Sequence, residues 1–431
     1  MLKLTLKILL LLVFAENLGA QSLDSLIKEA MKNNPMLMSL GTRVRSAEFR
    51  VSGIDVLPAP TIGLELSNVP FNSLNYFSAP LSQNLTFSQM FHLGGKLEAM
   101  SNAEKMNVNL GQDNIDIYKV NLAANIKMIY YNLWLLNEKI ALQKENILIL
   151  NNLLSTMQNL YEANKLSQAD ILALKSEIAT NETQIIVLEN QIEPEKYKMN
   201  KLLGRNLGVE FVMNGDNKMM YEDGQKNDAN EIRENLEHSP TIKKMNTMIE
   251  MNEKDMLAND KDRAPDLMLQ GMLMRMPQGM IVTANNATMS GGSGKADYGY
   301  SLMASVTLPF APWSKNKYDA KEQELEANIQ SIESEKLDMQ REMITAIRSA
   351  FAKKKTNEEL KELYLTKLLP LYEQTRKSQI SQYQNNMTNI NSVIDAARMF
   401  QMQKMNYIMA VADYKMAEVE IEMMVGNGIT K

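Results

Sequence analysis

Residues 298–310 read Tyr-Gly-Tyr-Ser-Leu-Met-Ala-Ser-Val-Thr-Leu-Pro-Phe. Tyr298, Tyr300, Leu302, Ala304, Val306, Leu308 and Phe310 fall on one side of an extended chain, and Gly299, Ser301, Met303, Ser305 and Thr307 on the other. One face is wholly apolar and the other mostly small or polar, the period-two pattern of a strand between two different surroundings. Two more segments alternate. In Thr61 to Leu66, Ile62, Leu64 and Leu66 oppose Thr61, Gly63 and Glu65; in Leu81 to Phe91, Leu81, Leu85, Phe87 and Phe91 oppose Ser82, Asn84, Thr86 and Ser88. Asp266 to Met276 is apolar on both faces and fits less well. Tyr298, Tyr300, Phe310 and Trp313 bracket the 298–310 strand like an aromatic girdle. A half-buried soluble sheet alternates in the same way, so the surroundings must choose between the two.

The surroundings are helical. A long helix is expected over 95–162, with the stripe Leu122, Ile126, Ile129, Leu133, Leu136, Ile140, Ile147, Leu150, Leu154, Met157 and Tyr161. Steps of four and three alternate with one skipped position, a coiled-coil period. The returning helix, 167–203, carries Ile171, Leu174, Ile178, Ile185, Leu188, Ile192 and Met199. Pro194 is expected to kink or break it. At 1.5 Å per residue the long helix measures about 100 Å, the returning helix about 55 Å and an N-terminal helix from Leu23 to Val56 about 50 Å. The two shorter helices end to end match the long one, which suits a rod or tube and not a globular core. Between long and returning helix, Asn164 can take the left-handed conformation that ends a helix, while Ser167 caps the next with Asp170 three residues on. Asn386 and Asn389 occupy the same places in the second half.

The chain is written twice. Asn33-Asn34-Pro35 recurs as His238-Ser239-Pro240, Tyr161-x-x-Asn164 as Tyr383-x-x-Asn386, and Leu203-Gly204 as Val425-Gly426. The organisation expected is a first repeat over 21–214 (strands 58–91, long helix 95–162, helix 167–203), a linker at 215–229, and a second repeat over 230–431 (strands 265–310, long helix 315–384, helix 389–425). The offset between halves grows between Pro265 and Trp313, so an inserted loop is placed at Gln278–Lys295. Ahead of the repeats, Lys3, Lys7, the apolar run Ile8–Phe14 and Leu18-Gly19-Ala20, which ends in small residues, read as a signal peptide over 1–20. No later segment offers the apolar length of a membrane-spanning helix, which leaves a β-barrel as the route into an outer membrane.

Composition removes other classes. Lys plus Arg is 46 and Asp plus Glu 51, so no basic excess exists to bind nucleic acid. Cysteine is zero and histidine two, His92 and His238, so neither thiolate chemistry nor a His-based site is expected. No catalytic constellation is visible, and an enzyme is not expected. Four strands cannot close a barrel, because bacterial barrels need at least about eight. Open edges in lipid leave backbone groups unpaired. Several copies must therefore share one sheet; the strand count alone allows dimer or trimer.

On Asn34-Pro35 and its echo Ser239-Pro240, Leu93-Gly94-Gly95-Lys96, Tyr161-x-x-Asn164-x-x-Ser167-x-x-Asp170-Ile171-Leu172 and Leu202-Leu203-Gly204, the chain resembles the TolC family of outer-membrane efflux ducts. The likeness covers nearly the whole sequence after residue 20. It implies a mainly α fold with a small β part: a long antiparallel coiled-coil helical tunnel plus four strands per chain in a trimeric 12-stranded outer-membrane β-barrel. It implies a homotrimer set in outer-membrane lipid with a large periplasmic part. It implies docking of the tips (Asn164, Ser167, Asp170, Asn386, Asn389) onto a periplasmic adaptor, and an inner-membrane pump of the RND type. A duct of a type I protein secretion system is the rival reading. No cofactor or resident metal is implied. In the protein that names the family, the second tip carries two acidic residues, a gating Tyr and an Arg; here those places hold Ser392, Asp395, Tyr383 and Thr388. The resemblance thus puts an aperture at Tyr383, Ser392 and Asp395.

Methionine, at 34, is frequent. Met268, Met272, Met274 and Met276 share one strand face; Met399, Met402, Met405 and Met409 fall at helical spacing. The reading favoured is adaptable filler. Thioethers also suit Cu(I) or Ag(I), and Pro309-Phe310-Ala311-Pro312-Trp313 looks similar to the family's heavy-metal branches.

Overall fold

The computed structural model describes residues 22–67, 82–162, 167–213, 218–221, 236–276, 280–283, 286–289, 297–385 and 387–426. In chain order it holds α1 (Leu23–Asn33), α2 (Pro35–Ile54), β1 (Thr61–Ser67), β2 (Ser82–His92), α3 (Lys96–Glu162), α4 (Gln168–Leu203) and a short α5 (Lys218–Tyr221). A 3-10 turn (Leu236–His238) leads to α6 (Pro240–Asp262), β3 (Asp266–Met276), β4 (Met280–Thr283), β5 (Asn286–Met289) and β6 (Asp297–Val306). α7 (Pro312–Leu363), a π turn (Tyr364–Leu368), α8 (Leu369–Gln384) and α9 (Ile390–Val425) complete it. The fold is mainly helical with a small antiparallel sheet, as the sequence leads one to expect. No helix among the described residues is long and apolar enough to cross a membrane. The signal peptide over 1–20 and most of the linker over 215–229 lie outside the described residues.

The chain divides into two compact units, one of segments up to Thr42, Asp113–Lys244 and Lys336 onward, the other of Arg43–Gln112 and Met245–Glu335. In the first, most of the expected apolar stripe of α3 is buried, though Tyr161 at its end is exposed: Leu122, Ile126 and Leu133, with Trp134 beside them, pack with Leu26 and Ile27 of α1, Met199 and Leu203 of α4, and Val411 of α9. A second core gathers Leu150, Met157, Ile171, Leu174, Ile178, Tyr383, Ile390, Val393 and Ile394.

The same device closes both halves of the sequence. The N-terminal helix expected over Leu23–Val56 is two helices, because Asn34 precedes a proline and is held extended (φ −65°, ψ 122°). Its carboxamide oxygen accepts from the backbone N–H of Met36 (3.0 Å) and Leu37 (3.1 Å), while its Nδ2 donates to the Leu202 carbonyl (2.8 Å). Ser239 repeats the cap on the Ile242 N–H at 3.3 Å. Each break is packed by a left-handed glycine ending the last helix: Gly204 (φ 72°) against Asn33 and Pro35, and Gly426 (φ 83°) against Pro240. The recurrent Asn-Pro, Ser-Pro and Leu/Val-Gly marks are thus two parts of one clasp.

Three other expectations need correction. Pro194 does not break α4, which runs on to Leu203. The carbonyl it would orphan belongs to the exposed Asn190, where water can satisfy it. The long helix expected over 315–384 begins at Pro312 and is interrupted by the π turn, just ahead of Pro370. A wider turn accommodates a ring that would otherwise meet the carbonyl four residues back. Within Gln278–Lys295, read as loop, β4 and β5 pair antiparallel from Met280↔Met289 to Thr283↔Asn286.

Candidate functional site

The second unit carries a four-stranded sheet in the order β1-β2-β3-β6, all neighbours antiparallel. The central β2–β3 pair joins the two halves of the sequence. Register fixes the faces: Ile62, Phe87, Gly271 and Leu302 form one row, and Leu64, Leu85, Leu273 and Tyr300 the next. This face is open, with Leu302 83 %, Tyr300 78 % and Ile62 75 % exposed. The rows behind it run Glu65, Asn84, Met274, Gly299, then Gly63, Thr86, Met272, Ser301. β3, which fitted the alternation poorly, belongs to it: its outward residues are Leu267, Leu269, Gly271, Leu273 and, near the strand end, Arg275, and between its ends its inward ones are methionine and Gln270. β6 ends at Val306, so Leu308 and Phe310 of the expected strand lie past its end. Tyr298, Tyr300, Phe310 and Trp313 are all highly exposed. Apolar side chains this exposed among the described residues are what a lipid-facing surface requires.

At the corner between sheet and helix, Gly94 and Gly95 turn the chain at positive φ. They deliver the buried Lys96 to Asp266 (2.9 Å) and Asp262 (3.5 Å). His92 Nδ1 meets the same Asp266 carboxylate at 2.9 Å. The Leu-Gly-Gly-Lys motif thus locks the end of β2 to the start of β3. His238 sits exposed in the 3-10 turn.

The first unit carries the hairpin end. Ser167 is extended and its hydroxyl accepts from the Asp170 N–H at 3.3 Å, capping α4. Asn389 caps α9 through the Ser392 N–H (2.9 Å) and also accepts from the Ser392 hydroxyl (3.1 Å). Asn164 and Asn386 lie outside the described residues. Tyr383 is buried, and its hydroxyl has no hydrogen-bond partner among the described residues. Burial, then the nearby Asp170 carboxylate, pushes its phenol up to about 12. Asp395 is exposed on α9, 3.7 Å from Arg398 Nη1. Ser392 is therefore held by a cap, and Tyr383 and Asp395 occupy different surroundings, one buried and one open.

Sequence reasoning missed the residues that tie this end together. Arg398 of α9 donates from Nε (3.0 Å) and Nη2 (2.5 Å) to one oxygen of Glu177 on α4, a buried carboxylate. That hydrogen bond raises the guanidinium further above its ordinary value. Next to it lies a buried amide cluster. Asn146 donates to Asn181 (3.0 Å) and Gln401 (2.9 Å), and Gln401 donates to Gln143 (2.6 Å) and Asn181 (3.1 Å). The signal was present as the skipped seam positions between Ile140 and Ile147 and between Ile178 and Ile185. Gln143 and Asn181 stand there.

Residues 26–205 match the model of the family described as Outer membrane efflux protein. No curated protein matches the chain at a significant level. Among solved structures, CusC, whose conformational changes accompany folding and transmembrane channel formation, matches with a TM-score of 0.74 at 14 % identity over 94 % of this chain and 92 % of that one. The outer membrane protein VceC of Vibrio cholerae matches at 0.71 and 13 % identity over 95 % and 97 %. The open state of the Neisseria gonorrhoeae MtrE outer membrane channel matches at 0.71 and 14 % identity over 94 % and 89 %. The TolC-family resemblance of the sequence is borne out. The first half carries the outer membrane efflux protein pattern, and nearly the whole chain shares the fold of outer-membrane channels.

Proposed function

We propose that three copies of this chain close a twelve-stranded barrel in the outer membrane and form the duct of a tripartite efflux system. The observation that supports it is the sheet: among the described residues it has one largely apolar face left exposed, one polar and thioether-bearing face, and strands β1 and β6 paired on one side only. In lipid those two edges leave backbone groups unsatisfied at several kcal/mol each, of order. Pairing β6 of one copy with β1 of the next removes the cost, and three copies supply twelve strands. The helices then form the periplasmic part. The tips around Ser167, Asp170 and Asn389 are the surface offered to an adaptor, through which an inner-membrane pump of the RND type delivers cargo. Passage is passive. Three symmetry-related Asp395 carboxylates ring the aperture beside the Tyr383 contacts, each partly balanced by Arg398. The test is conductance: the purified protein added to a planar bilayer gives discrete, long-lived steps in potassium chloride. Insertion without conductance, or no insertion, overturns the proposal.

A further inference from the structure

Strand β3 is apolar on both faces, but the faces are built differently. Three leucines and, near the strand end, Arg275 point outward; Met268, Met272 and Met274 point inward. Two more thioethers join them. Met90 of β2 pairs directly with Met268, and Met303 of β6 pairs with Gln270, diagonally between Met268 and Met272. Filler accounts for Met405, Met409, Met416 and Met423, which pack against a core, while Met399 and Met402 are exposed on the same helix. It does not account for these five. The rest of their face includes Glu65, Asn84, Thr86, Ser88, Gln270 and Ser301. The substantial contacts of β3 are with β2 and β6. A face otherwise built to meet water has no gap to fill.

We propose that this inward face is a soft-cation site, in which Met90, Met268, Met272, Met274 and Met303 bind a monovalent Cu(I) or Ag(I) ion through neutral sulfur. The proposal rests on the barrel reading, which makes this face the lumen. Thioethers select soft d10 cations and ignore potassium, sodium and magnesium, which prefer oxygen. They carry no proton, so the site keeps its affinity as pH falls. Residues two apart on one strand face stand about 6.4–6.8 Å apart. Directly paired residues stand about 4.5–5.5 Å apart at Cβ. Three rotatable bonds let methionine sulfurs converge from those spacings. Several weak sites in a row, repeated around the lumen, retain an ion enough to admit it and release it onward. Glu65, on the same face and hydrogen-bonded by Asn84 (3.3 Å), adds negative charge.

The experiment records potassium nitrate current through the full chain in planar bilayers while silver nitrate is titrated in. Silver(I) at micromolar concentration is expected to reduce the wild-type current. With Met268→Leu, Met272→Leu and Met274→Leu combined, a change that keeps volume, at least tenfold more silver is needed for the same fractional block, each current being taken relative to that variant's own silver-free value. Met90→Leu with Met303→Leu gives a smaller shift in the same direction and serves if the triple variant does not assemble. Met405→Leu with Met409→Leu behaves as wild type. A wild-type channel indifferent to silver, or Leu variants blocked at the wild-type concentration, overturns the site while leaving the duct. Absence of any potassium conductance overturns the duct and the site with it.

Discussion

Adding one methyl group at Gly204 tests the clasp that closes the first half of the chain. Gly204 has φ 72° and its backbone N–H bonds the carbonyls of Asn200 and Lys201. A Cβ there would stand 2.2 Å from the Asn33 carbonyl oxygen and 3.3 Å from Pro35 Cδ. The first contact is more than an ångström inside ordinary approach, and it is to backbone, which cannot rotate away. The left-handed conformation costs an alanine about 1–2 kcal/mol, and the overpacking about 1–3 kcal/mol more. Gly204→Ala should therefore destabilise the clasp by about 2–5 kcal/mol, the sum of those two terms. At about 1.4 kcal/mol per tenfold, amide hydrogen exchange in the last turn of α4 should quicken by roughly 30-fold or more. Gly426→Ala, 2.4 Å from Pro240 Cδ, should do the same at the end of α9. Gly41→Ala is the control, because nothing lies within 4 Å of its would-be Cβ inside α2. It should stabilise by up to about 1 kcal/mol. Unchanged exchange near residue 204 in Gly204→Ala, with Gly41→Ala behaving no differently, would refute the reasoning.

The hairpin end yields three more predictions. Arg398→Ala leaves the buried Glu177 carboxylate with Asn181 as its one side-chain partner among the described residues; because Arg398 itself is half exposed, the loss is about 1–3 kcal/mol. A double-mutant cycle with Glu177→Gln should recover part of it, and strict additivity of the two losses would count against the pair. Tyr383→Phe removes a buried hydroxyl with no described partner, so the thermal midpoint of the detergent-solubilised protein should hold or rise; a clear fall would show that the hydroxyl has a partner. Asp395→Asn should weaken cation selectivity in bilayers, whereas Ser392→Ala, whose hydroxyl serves the α9 cap, should not. Equal selectivity in all three proteins would remove Asp395 from the aperture.

Much of this molecule is legible wherever a residue's role is local. The strand alternation, the Ser167 and Asn389 caps and the Asn-Pro and Gly marks each follow from one turn of backbone and its own side chain. Legibility fails where a local cost is met from outside the segment. Pro194 is expected to kink or break a helix, and the helix runs on unbroken because the carbonyl four residues back belongs to the exposed Asn190. At Asn34 the proline after it ends the helix locally, but the clasp that holds the break could not be read, because Leu202, which accepts its carboxamide, lies 168 positions on. β3 looked wrong for a two-faced strand because hydropathy ranks methionine with leucine, while register shows them on opposite faces. Arg398 and Glu177 lie 221 positions apart and carry no shared motif. Only the skipped seam positions hinted that something polar was buried there.

The central claim is that the sheet of one copy is a third of a closed wall. The chain contains no cysteine, so introduced thiols report alone. Leu64→Cys on β1 combined with Leu302→Cys on β6, oxidised in native outer membranes, should give covalent species that stop at three copies, with neither single variant passing dimer. A ladder that ends at the monomer or the dimer, or runs on past three, would contradict the account.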